Sequence, residues 1–235
     1  MEYYNHEGKL VSYNQSESKE SMNGGCSTLY VFDNYIYKRY LIFVPKENRV
    51  NFDIFNVLNK IDNRHLLKIK ELLIEKEKYD INKTSKENFS KTPPDAYIMP
   101  ILKRDNSNIF DRKVEFILEM LSEIEELIEI ITNEHILLQD IKLSNVIVEE
   151  NNIVLIDWDK YKFVSYELSR ILSANQYQVI ILFIALLTHN CESFAQKRII
   201  MGLFDNISVG KESLAPQLKR SLNGCQTVRE YIYKH

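Results

Sequence analysis

The stretch "LLQDIKLSNVIVEENNIVLIDWD", Leu137 to Asp159, sets two aspartates in unusually ordered surroundings. Asp140 is followed by Lys142 and Asn145 inside six residues, and Asp157 ends the apolar run "IVLI". The two short runs "NVIVE" and "IVLID" read as strands, and a hairpin between them brings Asp157 back beside Asn145. An Asn and an Asp converging on one point offer the hard oxygen ligands that Mg²⁺ accepts, with positions left for water and phosphate. Lys142 adds a cation that can contact a transferring phosphoryl group, and Asp140 remains to accept a hydrogen bond from an incoming hydroxyl. Metal clamp, charge neutralisation and an aligned nucleophile are the parts that phosphoryl transfer needs.

Upstream, residues 21–101 are rich in short β-like runs. "STLYVF" and "YIYKRY" flank Asp33-Asn34, a dipeptide suited to a tight hairpin turn. "NFDIFNVLNKI" carries apolar residues at 52, 54, 55, 58 and 61, a helical spacing. "KELLIEKEKY" and "AYIMPIL" follow as strands, and the polar, proline-terminated "DINKTSKENFSKTPPD" between them reads as a long surface loop. From about residue 105 the pattern turns helical. "RKVEFILEMLSEIEELIEIITNEH" lines up Val114, Ile117, Leu118, Leu121, Ile124, Ile128 and Ile131, with glutamates on the other side. A second helix is expected over 175–188, with helices to the end. The expected fold class is α+β: residues 1–20 as an N-terminal extension, a small β-rich lobe over 21–102, a connector near 100–106, and a helical lobe over 103–235.

Composition bounds the partners. The chain has 235 residues, 45% hydrophobic and 27% charged, the profile of an ordinary globular protein. A net charge of −3 gives no global basic field to recruit nucleic acid or an anionic membrane. The N-terminus "MEYYNHEGKL" lacks the apolar core of a signal peptide, and the run "VIILFIALL" is too short to span a bilayer. Three widely spaced cysteines, Cys26, Cys191 and Cys225, form no metal-ligand or disulfide pattern. A reducing, cytoplasmic setting is expected.

"QDIKLSN" resembles the catalytic loop of eukaryotic-type protein kinases, H-R-D-x-K-x-x-N, and "IDWD" resembles their metal-binding Asp-Phe-Gly turn, with Trp158 and Asp159 replacing Phe and Gly. The resemblance implies a bilobal protein kinase-like fold that transfers the γ-phosphoryl of ATP to a hydroxyl. It implies that Asp140 orients the nucleophile, Lys142 steadies the γ-phosphate, and Asn145 and Asp157 hold Mg²⁺. In the small lobe it implies that Gly24, Gly25 and Ser27 approach the phosphates, and that Lys38 holds the α/β-phosphates. Asp53 is the nearest acid to partner that lysine, because the first helix carries no glutamate. The resemblance further implies Met99 as gatekeeper, Pro100 and Leu102 facing adenine, and Ile147 among the nucleotide contacts. "NQYQVIILFIALLT" resembles a helix of the kinase large lobe, with Asn175 in place of Asp. The resemblance covers roughly residues 20–190.

Several positions depart from that pattern. Leu138 and Gln139 replace the His and Arg before the catalytic Asp, and Ser27 stands where a third glycine would fall. Only 17 residues separate Asp157 from Asn175, with no Ala-Pro-Glu. Lys142 favours Ser/Thr protein kinases, whose partner is a protein substrate. The short segment favours kinases of the aminoglycoside and choline type, which act on a small hydroxyl-bearing substrate. The broken glycine loop favours a third reading, a pseudokinase acting as a nucleotide-binding scaffold.

Overall fold

The computed structural model describes residues 1–102, 112–149 and 152–235. The fold is α+β, with an antiparallel sheet and seven α-helices among the described residues. The chain divides into two compact units. The first comprises Met1–Asp62, Leu67–Leu102 and Trp158–Tyr161; the second comprises Asn63–Leu66, Lys103–Asp157 and Lys162–His235.

The first unit is built on seven strands: β1 (Glu2–Asn5), β2 (Leu10–Ser12), β3 (Glu20–Asn23), β4 (Ser27–Val31), β5 (Ile36–Tyr40), β6 (Glu71–Glu75) and β7 (Ala96–Met99). Their order is β2-β1-β6-β7-β5-β4-β3. The Asp33-Asn34 turn forms as expected: Val31 pairs with Ile36, and Phe32 N–H donates to Tyr35 O at 3.0 Å. Residues 1–20 are not an extension. β1 pairs with both β2 and β6, and Tyr3 is fully buried with its hydroxyl 2.6 Å from that of Tyr37. Tyr3, Phe32, Tyr37, Leu73, Ala96 and Ile98 form one face of the core, an aromatic cluster suited to a pleated surface.

Helix α1 (Phe52–Leu58) starts at Asn51, whose side chain accepts from the N–H groups of Asp53 and Ile54, and it buries Phe52, Ile54, Phe55 and Leu58. The segment expected as a surface loop contains a second helix, α2 (Ser85–Lys91). Thr84 and Glu87 form a reciprocal capping box at its start, and Phe89 anchors it against Phe52.

In the second unit α3 (Val114–Asn133) buries most of the predicted stripe, with Leu118 at its edge. One glutamate breaks the expected polar face. Glu125 is buried, and its carboxylate accepts from Leu214 N–H at 2.7 Å, Ala215 N–H at 3.1 Å and Gln176 Nε2 at 3.3 Å. The acid therefore caps a later helix, where its charge meets the positive end of that helix dipole. Burial is the largest influence on it and raises its pKa above the ordinary glutamate value, against the lowering effect of these bonds.

Strand β8 (Ile136–Leu137) follows α3, and the hairpin β9 (Val146–Glu149) and β10 (Asn152–Leu155) comes next. β11 (Lys162–Phe163) pairs back with β8. Helix α4 runs from Leu168 to Thr188, two turns earlier than its apolar run predicts, and α5 (Phe194–Gly202), α6 (Leu214–Leu222) and α7 (Val228–Lys234) complete the unit. Among the described residues, α4 is the one helix long and apolar enough to cross a membrane by length and composition; half of its most apolar window is buried inside the protein. The expected connector near 100–106 lies outside the described residues from 103 onward.

Candidate phosphotransfer site

In the second unit the loop after β8 carries Asp140, Lys142 and Asn145. Its entry is fixed by a side chain 37 residues downstream: fully buried Asn175 accepts from Leu138 N–H at 2.8 Å. The same amide donates from Nδ2 to Ile136 O and Thr132 Oγ1, each at 3.0 Å. One asparagine thus ties α4, the end of α3 and the loop together.

Within the loop, Asn145 Nδ2 donates to Asp140 O at 2.8 Å, which fixes the orientation of its amide. The oxygen points the other way, accepts from the exposed Ser144 hydroxyl at 3.2 Å, and is the atom that can be offered to a cation. Lys142 Nζ sits 2.9 Å and 3.1 Å from the two oxygens of Asp140. This pair is partly exposed, with 54% of the lysine and 29% of the aspartate side chain open to solvent, so its own contribution to stability is small. It keeps the cation beside the carboxylate.

The β9–β10 hairpin brings the second aspartate to the same place. Val146 pairs with Leu155, and Ile156 N–H donates to Asn145 O at 2.9 Å. Asp157 is the next residue, so the backbone sets it beside Asn145, as a hairpin between the two runs predicts. Both aspartates are strained. Asp140 has φ 61° and Asp157 φ 69°, in the left-handed region that a non-glycine residue enters at a cost. The other two such residues among those described, His135 and Asn223, close the ends of α3 and α6, where left-handed geometry is routine. At Asp140 and Asp157 no helix end asks for it. Strain held in this way concentrates where side chains must be aimed.

A segment and a helix hold the hairpin from outside. His65 lies 2.9 Å from Ile153 O through Nδ1 and 2.8 Å from Glu123 Oε2 through Nε2. Leu155 N–H donates to His65 O at 2.7 Å, and Asn152 Nδ2 donates to Arg64 O at 2.8 Å. Burial is the largest influence on Glu123 and works to raise its pKa; the bonds from Arg64 and His65 outweigh it and hold the carboxyl below the ordinary glutamate value.

In the first unit Lys38 lies on a central strand, between Leu29 of β4 and Tyr97 of β7. Only 7% of its side chain is exposed. Asp53 does not meet it; that acid stands exposed in the first turn of α1. Asp159 does, its Oδ2 accepting from Lys38 Nζ at 2.8 Å. Tyr40 OH donates to the other oxygen of Asp159 at 2.5 Å and accepts from Val50 N–H at 3.0 Å. Burial, then the Asp159 charge, push the Tyr40 phenol well above its ordinary pKa, so it stays a donor. The ammonium lies 5.1 Å from the Tyr97 ring centroid and 5.6 Å from that of Tyr40.

The remaining sequence-predicted positions fall in the first unit and on β9. Gly24 and Gly25 form the exposed tip between β3 and β4, where Gly24 N–H donates to Ser27 O at 2.8 Å. Neither takes a positive φ, and a Cβ on Gly25 would meet nothing within 4 Å, so the turn itself does not require glycine there. Ser27 is buried at the start of β4. Met99 ends β7 and is buried, while Pro100 and Leu102, just past the strand, are partly exposed. Ile147 sits on β9 opposite Val154.

Sequence reading missed Asp159 and Tyr40 among the neighbours of the lysine. The signal was present in the second acid of "IDWD", where the kinase pattern has glycine, and in the tyrosine two residues past the lysine. No protein-family model matches the chain, and no curated protein matches it.

Proposed function

We propose that this protein is an ATP- and Mg²⁺-dependent phosphotransferase with a bilobal protein kinase-like fold, acting on Ser or Thr hydroxyls of a protein. One observation carries the reading: Asp140, Lys142 and Asn145 on one turn, joined through the β9–β10 hairpin to Asp157, with both aspartates held in left-handed backbone. Asp140 accepts the hydrogen bond of the incoming hydroxyl and aligns its oxygen. Lys142, kept beside it, neutralises charge on the γ-phosphoryl group. Asn145 Oδ1 and the Asp157 carboxylate fit Mg²⁺ as hard oxygen donors, and Lys38 takes the α/β-phosphates. The metal supplies charge neutralisation across the phosphates; the chain supplies position.

A small hydroxyl-bearing acceptor is the second reading. Ten residues, Trp158 to Glu167, lie between Asp157 and the start of α4, and four of them belong to the first unit. Little chain is left to support a peptide. A pseudokinase scaffold remains the third reading, favoured by the exposed, incomplete glycine tip.

Purified protein incubated with radiolabelled ATP and Mg²⁺ tests all three, alone, with basic generic proteins and with aminoglycoside- or choline-like alcohols. Label on Ser or Thr, reduced about 10²- to 10⁴-fold by Asp140→Asn and strongly by Asp157→Asn, supports the kinase reading. Label on a small alcohol alone transfers it to the second. ATP binding without transfer to any acceptor leaves the scaffold.

A further inference from the structure

We infer that Asp159, pinned by Tyr40, is the positioning residue for Lys38, so that the acid which aims the phosphate lysine comes from the metal-aspartate turn and not from the first helix. The inference rests on the phosphotransferase reading. Lys38 lies in the middle of a sheet and is almost wholly buried, where a lone ammonium is costly. Asp159, similarly buried, balances that charge at 2.8 Å. Its second oxygen is held by Tyr40 OH, whose oxygen is in turn held by Val50 N–H. The carboxylate is therefore clamped at both atoms and cannot rotate away from the lysine without breaking the Tyr40 bond.

Helix α1 offers no alternative on its inner face, which is made of Phe52, Ile54, Phe55 and Leu58. In kinases generally, the strand lysine and the metal aspartate depend on two separate elements, a helix glutamate and a loop. Here Asp157 and Asp159 are two residues apart, so one short turn carries both acids. The aim of Lys38 then depends on residues 157–159 and is indifferent to the acid on α1.

The test compares MgATP with adenosine, which lacks phosphates, by calorimetric binding to wild type, Asp159→Asn, Asp159→Glu, Tyr40→Phe and Asp53→Asn, with melting curves to confirm folding. Asp159→Asn is expected to weaken MgATP at least tenfold and leave adenosine within twofold, with Asp159→Glu recovering part of the loss. Tyr40→Phe, which keeps the carboxylate and nearly all the core volume, gives the same selective loss at about threefold, and Asp53→Asn changes neither ligand. Unchanged MgATP affinity in folded Asp159→Asn and Tyr40→Phe overturns the inference, as does an equal loss for both ligands. Wild type binding neither ligand would instead overturn the phosphotransferase reading, and this inference with it.

Discussion

Asn175→Leu removes three hydrogen bonds while keeping the branched shape and heavy-atom count of the side chain. It orphans Leu138 N–H and Ile136 C=O at the entry to the Asp140 loop, and frees the Thr132 hydroxyl, which can turn elsewhere. A buried polar group left unsatisfied costs about 1–3 kcal/mol, so the two backbone groups together cost about 2–6 kcal/mol. Added apolar burial returns about 1 kcal/mol. The net loss is about 3 kcal/mol, which for a chain of this size lowers the melting midpoint by about 6–12 °C. Tyr177→Ala, an exposed position on the same helix, is the control and shifts stability by no more than about 0.5 kcal/mol. Asn175→Asp, which introduces the residue of the kinase pattern, does not preserve these ties. An ionised aspartate can still accept from Leu138 N–H, but it cannot donate to Ile136 O or Thr132 Oγ1. Differential scanning calorimetry gives the midpoint, and phosphotransfer rate reports the loop. A midpoint within about 2 °C of wild type for Asn175→Leu would refute the account of how the loop is held.

Four further outcomes are expected. Asp140→Ala should be about 1 kcal/mol less stable than Asp140→Gly in urea titrations, because both lose the carboxylate but only alanine carries a Cβ at φ 61°; equal stabilities would remove the strain argument. Burial raises the Glu125 pKa in the folded state, so its contribution is fully present below the unfolded glutamate pKa and declines as pH rises through the folded value. Glu125→Gln should flatten that decline in stability measured from acid to neutral pH, and an unchanged slope would show that Glu125 does not cause it. Thr84→Ala should cost about 1 kcal/mol by loss of the α2 cap, read from denaturant midpoints. No activating phosphosite is expected between Asp157 and Asn175: Gln139 is neutral where many kinases place the arginine that receives a phosphate, Tyr161 is buried, and Ser173 Oγ is bonded to Ser169 O. Phe at Tyr161 and Tyr166, with Ala at Ser165, Ser169 and Ser173, should leave initial rates within twofold of phosphatase-treated wild type, and a large loss in a folded variant would reverse this.

What the sequence made legible was local or periodic. The α3 stripe repeats over five turns, and the Asp33-Asn34 turn joins adjacent strands, so neither needs distant information. The hairpin linking Asn145 to Asp157 was legible for the same reason. Glu125 was not. It sits among Glu119, Glu123, Glu126 and Glu129, and only the arrival of α6, about 90 residues later, distinguishes it. β1 was missed because its local partner β2 is only three residues long, and its second partner, β6, lies some 70 residues on. The α2 capping box was present in the letters, but flanking lysines and prolines outweighed a helix of two turns. Asp53 was chosen as the lysine's partner by its place on the first helix, a criterion that cannot detect an acid arriving from residue 159.

Lys38 and Asp159 are 121 positions apart. During synthesis at about 5–20 residues per second, the lysine waits about 6–24 s before its counter-ion exists. Until then the nascent sheet must hold an unbalanced cation in its centre or leave that part of the core open. Closing so long a loop is entropically expensive, and contacts of this separation form slowly. A fragment ending at residue 102 would never acquire the missing acid, nor Trp158 beside it. The first unit is thus completed by residues that emerge more than fifty positions after its last strand.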